Sequence, residues 1–181
     1  MFTDISLVQR TGLRLVPGKL YTPQLPINSG TALDIELTIA LPATGSTNVE
    51  LQVLASATGG HVNQSSGYEV DAATISLNVS GCMGDGLRSG ALVWRGRNTG
   101  PTNGGRGTPF TILSGEQSVH LRVLVDRSVV EVFAGGGRAH IVAGEFADVG
   151  HTFVHMLASG SSPVAVGNLS IWSMDCGWSS S

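Results

Sequence analysis

Apolar and polar residues alternate along most of this chain. Leu33, Ile35, Leu37 and Ile39 alternate with Asp34, Glu36 and Thr38, the period-two pattern of a strand with one face buried and one wet. Pro42-Ala43-Thr44-Gly45 breaks the run, and Leu51, Val53 and Ala55 resume it on a second strand. After Gly59-Gly60, residues 68–71 and 74–79 are further strand candidates, followed by a glycine-rich loop at 81–86 and a short run at 91–94. Residues 95–109, rich in Gly, Asn, Arg and Thr, read as the longest loop, with no core residue. The C-terminal third is clearest. Val119, Leu121, Val123 and Val125 form one face of a strand, Asp126-Arg127-Ser128 a tight turn, and residues 129–133 the return strand of a hairpin. Gly135-Gly136-Gly137 makes the next turn, residues 138–142 complete a meander, and 153–157 and 169–174 finish the pattern. Residues 1–30 form a lead-in linker. Pro17, Pro23 and Pro26 suit neither a long helix nor a central strand, and residues 5–9 are expected to make a short helical turn. Strands at this spacing predict an all-β sandwich or barrel over residues 31–178, with 179–181 a tail.

Composition narrows the class. The chain has 181 residues, of which 25 are glycine and 13% are charged, with a formal net charge of -3. One lysine, Lys19, excludes a coiled coil; a 41% hydrophobic share excludes disorder. No run of apolar residues is long enough to span a membrane as a helix. The scattered arginines give no footprint for nucleic acid. No basic and apolar leader stands at the N-terminus, so no signal peptide is read. Cys82 and Cys176 are either free thiols or one long-range disulfide. Asn63, Asn78 and Asn168 each begin an Asn-x-Ser sequon, which matters only in a secreted eukaryotic protein.

Reactive constellations are sparse. There is no phosphate-binding Gly-x-x-x-x-Gly-Lys loop, no Gly-x-Ser-x-Gly elbow and no His-Glu-x-x-His. His151 and His155 stand four apart, and neither they nor the isolated His61, His120 and His140 predict a metal site; no cofactor is expected. Asp126 and Glu131 are the acidic residues set in the apolar hairpin. Asp126 is expected to cap the turn through its carboxylate. Glu131 points away from Val130 and Val132, so it is solvated or paired with Arg122, Arg127 or Arg138. The sharper alternative is sugar binding by Asp126, Glu131, Arg127 and Arg138, with Trp94, Trp172 or Trp178 beneath a ring. Nothing pairs a nucleophile with a base, so no catalytic residue is assigned.

The stretch from Leu121 through Val-Asp-Arg-Ser-Val-Val-Glu-Val-Phe-Ala-Gly-Gly-Gly to Arg138 resembles a hallmark of glycoside hydrolase family 32, the family of invertases, inulinases, levanases and fructan exohydrolases. It is most similar to the C-terminal module of plant acid invertases. Residues 31–36 resemble that module's first strand, Val16-Pro17-Gly18 the linker before it, and 169–174 its last strand. The resemblance implies a two-sheet antiparallel β-sandwich, of jelly-roll or concanavalin-like kind, following a five-bladed catalytic propeller. In that family the propeller carries a nucleophilic Asp in Asn-Asp-Pro, an Asp in Arg-Asp-Pro and an acid/base Glu in Glu-Cys; this chain contains no Asp-Pro and no Glu-Cys. The implied role is therefore non-catalytic: packing on a propeller and stabilising it. Fructan or fructose binding is the alternative, and a contact between copies in a homo-oligomer a further expectation. The implied location is secreted, cell wall or vacuolar. The low charge predicts a contiguous charge-poor patch on one sheet, where a partner lies.

Overall fold

The computed structural model describes residues 5–26, 31–42, 45–58, 72–80, 88–96, 106–146, 148 and 150–174. Two antiparallel sheets pack face to face as a β-sandwich. The strands are β1 (Ile5–Leu15), β2 (Ala32–Ala40), β3 (Thr47–Ala55), β4 (Ala73–Val79), β5 (Arg88–Arg95), β6 (Arg106–Ile112), β7 (Ser118–Asp126), β8 (Val129–Ala134), β9 (Ala139–Gly144), β10 (Phe153–Ser159) and β11 (Val164–Ser173). One sheet has six strands in the order β1-β11-β2-β7-β8-β9, the other five in the order β10-β3-β4-β5-β6.

The alternation drives this arrangement. Leu33, Ile35, Leu37 and Ile39 of β2 are fully buried, and in register beside them lie Val125, Val123, Leu121 and Val119 of β7. Leu51, Ile75, Leu77, Leu92 and Met156 face them from the other sheet within one core. Each such side chain contributes about 1.5–3 kcal/mol by leaving water. The β7–β8 turn is tight: Asp126 pairs with Val129, leaving Arg127 and Ser128 as the loop. Arg127 takes a φ of 53°, and its N–H donates to the Thr31 carbonyl at 2.7 Å.

Four expectations are corrected. Residues 5–9 are not a helical turn but the start of β1, a strand at the sheet edge that pairs with β11 through a bulge between Ser6 and Val8; tertiary pairing overrides a weak local signal. Residues 95–109 are not one loop. β5 runs through Arg95 and β6 begins at Arg106, carrying Phe110 and Ile112 into the core. Pro109 sits in β6 without harm because β6 is an edge strand, where a missing N–H costs little. Ala55 does not continue the face of Leu51 and Val53. The register of β3 against β10 shifts so that Gln52 opposes His155 and Ala55 opposes Phe153. Leu54, at a φ of 50°, is the extra residue; it joins Val53 in the core, while Ala55 packs separately with Ala72. A leucine in that left-handed conformation costs about 1–2 kcal/mol, offset here by its complete burial. Finally, Asp126 does not cap its turn: its carboxylate makes no hydrogen bond among the described residues. The strand expected at 68–71 and the loop at 81–86 lie outside the described residues.

Within residues 16–26, Gly18 donates to the Ala158 carbonyl at 3.1 Å, and Tyr21 exchanges bonds of 2.9 and 2.8 Å with Met156. This covers part of the β10 edge with a proline-rich segment too irregular to template another strand.

Phe110 illustrates how closely neighbouring strands of the five-stranded sheet pack on its inner face. It lies opposite Gly90 across β5–β6, and a Cβ at Gly90 would fall on its ring. Gly90→Ala is expected to destabilise the fold by about 1–3 kcal/mol, read as a lower urea midpoint. Gly107→Ala is the control: its Cβ would meet nothing closer than 3.8 Å, and the midpoint should hold or rise slightly.

Candidate functional site

The residues proposed for sugar binding do not converge. Trp94 lies on β5, on the inner face of the five-stranded sheet, 6% exposed and part of the core. It cannot lie beneath a sugar ring. Arg127 stands at the tip of the β7–β8 turn and Arg138 in the turn beyond the far end of β8. Asp126 and Glu131 do share the outward face of the six-stranded sheet, on adjacent strands.

The partner of Glu131 is not an arginine. Its Oε1 lies 2.9 Å from His140 Nε2, and the His140 ring stacks on Phe133 at 4.5 Å. The register explains this, because Phe133 opposes His140 directly across β8–β9. Arg122 faces the other way, to β2: its Nε and Nη2 donate to the two Asp34 oxygens at 3.0 and 2.6 Å, and Nε lies 3.5 Å from Glu36. His120 is 3.9 Å from Glu36. Trp172 opposes Asp34 on β11 and is the tryptophan this face does carry. The outward face of the six-stranded sheet is thus a charged surface whose carboxylates at Asp34, Glu36 and Glu131 are already paired. Exposed pairs of this kind contribute at most about 1 kcal/mol each.

Arg138 serves the fold. Its Nη2 donates to Glu116 at 2.6 Å, its Nε to the Gly135 carbonyl at 2.7 Å, and its guanidinium lies over the Phe110 ring. The Arg138 hydrogen bond, with a second from the Leu113 N–H, holds the Glu116 carboxyl below its ordinary range.

The outward face of the five-stranded sheet differs. Among its described positions, Glu50 and Arg95 are the charged side chains. The others include Asn48 on β3, Ser76 and Asn78 on β4, Ala91 and Val93 on β5, Pro109 on β6 and Leu157 on β10. Its centre is closed to water: Gln52 is 1%, Thr74 3%, Ser76 1% and His155 0% exposed. The His155 Nε2–H donates to the Ser56 carbonyl at 2.9 Å, which leaves Nδ1 to accept from the Thr22 hydroxyl at 2.7 Å in the neutral ring. His155 thereby ties the proline-rich segment to the end of β3. Sequence reasoning passed it over as one of a histidine pair; His151 precedes β10, so the two do not share a strand. Burial raises the Glu50 carboxyl above its ordinary value, with Arg95 opposing.

Among the described residues no group of His, Cys, Asp and Glu could hold a metal ion. Asn78 accepts from Asn48 at 2.5 Å within β4, and Asn168, exposed on β11, donates to Ser170 of its own sequon at 3.2 Å. Asn63, Cys82, Cys176 and Trp178 lie outside the described residues.

Sequence and fold were compared with known proteins. The family described as "Glycosyl hydrolases family 32 C terminal" matches residues 8–173. A fructan 1-exohydrolase of Aegilops speltoides is 42% identical over 66 residues, covering 34% of this chain and 11% of that protein. "Beta-fructofuranosidase, insoluble isoenzyme 4" of Oryza sativa subsp. japonica is 45% identical over 65 residues, with the same coverages of 34% and 11%. The crystal structure of fructan 1-exohydrolase IIa from Cichorium intybus superposes with a TM-score of 0.73 at 17% identity, over 95% of this chain and 36% of that one. An exo-inulinase from Aspergillus awamori gives 0.65 at 18%, over 98% and 31%. The chain therefore spans about a third of the solved chains that share its fold.

The two displaced carboxyls have opposite consequences. A carboxyl lowered on folding adds stability above its ordinary value of 4.5, and this is lost as pH falls through the lowered value. A raised carboxyl favours the fold below 4.5 and penalises it once pH rises past the raised value. At neutral pH, Glu50→Gln should raise the melting temperature and Glu116→Gln should lower it. Melting curves across pH check this: both differences should shrink in acid, the Glu116 one only below 4.5.

Proposed function

The chain belongs to the C-terminal domains of glycosyl hydrolase family 32, and we propose that it is the non-catalytic β-sandwich of a β-fructofuranosidase, packed against a catalytic five-bladed propeller that it stabilises. The contrast between the two outward faces carries the reading. A sheet that meets only water can wear charge, as the six-stranded sheet does with Asp34, Glu36, Arg122, Asp126 and Glu131. A sheet that meets another domain must avoid unpaired charge, because burying it is costly. The five-stranded sheet presents Ala91, Val93, Pro109 and Leu157 around a sealed polar centre, and its Glu50 already resists ionisation. We assign this face to the propeller. The parent enzyme acts on sucrose or fructans outside the cytosol, in the cell wall, the vacuole or beyond the cell; the support is the family membership and the fructan exohydrolase and β-fructofuranosidase names among the relatives.

The reading is tested by producing the chain and a family 32 propeller separately and measuring their association. Val93→Glu and Leu157→Glu should weaken it by about tenfold or more, whereas Leu124→Glu on the other sheet should not. The reverse pattern would move the contact to the six-stranded sheet. The chain alone should release no glucose or fructose from sucrose; clean recombinant protein that does so would overturn the non-catalytic role.

A further inference from the structure

A second feature lies at one end of the sandwich, where the β2–β3 connection meets the β10–β11 turn. A groove of about 500 Å3 opens there between Leu41, Pro42 and Ser46 on one side and Ser159, Ser161 and Pro163 on the other. It continues into a second hollow of about 370 Å3 walled by Asn48, Asn78 and Ser80. Ser46, Thr47, Ser159 and Gly160 line both. Among the described residues no Asp, Glu, Lys, Arg or His lines either one.

We propose that this groove is a binding site for a neutral polyhydroxylated ligand, a short saccharide. The lining selects that chemistry. Its described residues offer no cation to hold phosphate or carboxylate, and no carboxylate to hold a metal ion or amine. An apolar ligand would strip water from a wall of hydroxyls and amides with nothing in return. A saccharide offers many hydroxyls for such a wall and C–H faces for the apolar side chains of Leu41, Pro42 and Pro163, and the volume falls within the usual range for small-molecule sites.

The hydroxyls of Ser46, Ser159 and Ser161 are exposed and make no hydrogen bond to other described residues, so they stand open to a ligand. Ser159, Asn48 and Asn78 form one row across β10, β3 and β4. Asn48 Nδ2 donates to Asn78 Oδ1 at 2.5 Å, leaving Asn48 Oδ1 buried and without a partner. Reversing both amides only exchanges that orphan oxygen for an orphan N–H, so one polar group of Asn48 is unmet either way. Hydroxyls, which both donate and accept, can complete either arrangement. Gly160, at a φ of 127°, keeps the turn open beside Ser46. The contrast with the charged sheet is direct, since there the carboxylates are already answered by Arg122 and His140.

The site shares Asn48 and Asn78 with the rim of the sheet assigned to the propeller, so it is tested on the chain alone, where its failure and that of the domain contact are read separately. The test is calorimetry and amide NMR on the 181-residue chain with sucrose, inulin oligosaccharides and cellotriose as probes, and inorganic phosphate as the charged control. At least one saccharide should bind saturably in the millimolar range and shift the amides of Ser46, Thr47, Ser159, Ser161 and Ser162, while phosphate does not. Ser161→Trp should fill the groove and weaken binding by about tenfold or more with the melting temperature unchanged. Asn48→Ala is a second variant, read against its own melting curve. Asp126→Ala, Glu131→Ala and Val93→Glu should leave binding intact. The proposal is overturned if no saccharide perturbs the groove amides, if Ser161→Trp binds as well as the parent chain, or if Asp126→Ala removes the binding instead.

Discussion

The register of β2 is the constraint on which the other assignments depend. β2 is hydrogen-bonded on both edges, to β11 and to β7, and its leucines and isoleucines fill the core. A slip of one residue would turn Asp34 and Glu36 inward and Leu33, Ile35, Leu37 and Ile39 outward. Burying those carboxylates is prohibitive, so the register is effectively unique. Once β2 is set, so is the surface beyond it. Glu36 falls opposite Arg122, Leu124 opposite Glu131, and Phe133 opposite His140. The ion pairs on the outward face are consequences of core packing rather than causes of the fold.

The same logic explains which parts were legible in the sequence. β2, β7 and β8 announce themselves because one face is wet and the other dry, so that hydropathy alternates with the backbone. The inward parity of Trp94 was equally available, since it falls two residues after Leu92. Its assignment as a sugar platform followed the chemistry of tryptophan rather than its position. β6 was hidden for a different reason. Pro109 and Gly107 look like loop residues, and only the edge position of the strand makes them tolerable. β1 was hidden because an edge strand with a bulge carries little alternation of its own.

The candidate surfaces were less legible than the fold. The pairing of Glu131 with His140 depends on a register one strand further on, which a list of nearby arginines cannot supply. The bulge at Leu54 leaves only a faint mark in Leu-Gln-Val-Leu-Ala. The apolar run Val53-Leu54-Ala55 interrupts period two, but it does not show that Leu54 is an inserted residue. The pairing of Gln52 with His155 on the outer face follows the regular register that runs from Ser159 opposite Asn48, with the bulge just beyond it, and there His155 meets Ser56 and Thr22. A polar cluster sealed on the outside of a sheet is therefore a product of register across three strands, and composition gives no sign of it.

The low charge of the chain takes its meaning from this asymmetry. If 13% charged residues were spread evenly, both sheets would be moderately polar and neither would be suited to lie against another domain. Instead the outward positions of β2, β7 and β8 hold Asp34, Glu36, Arg122, Asp126 and Glu131, and the five-stranded sheet is left with Glu50 and Arg95 among its described positions. Those two sit on β3 and β5 with β4 between them, and Arg95 opposes the rise in the Glu50 carboxyl. A carboxylate disfavoured by burial and partly rescued by an arginine can sit inside a contact without a second partner, where two unrelated charges could not. The same sheet ends in the neutral row of Ser159, Asn48 and Asn78. A face with almost no net field and unmet hydrogen-bonding groups at its rim is suited to neutral partners, whether the side chains of a neighbouring domain or the hydroxyls of a sugar.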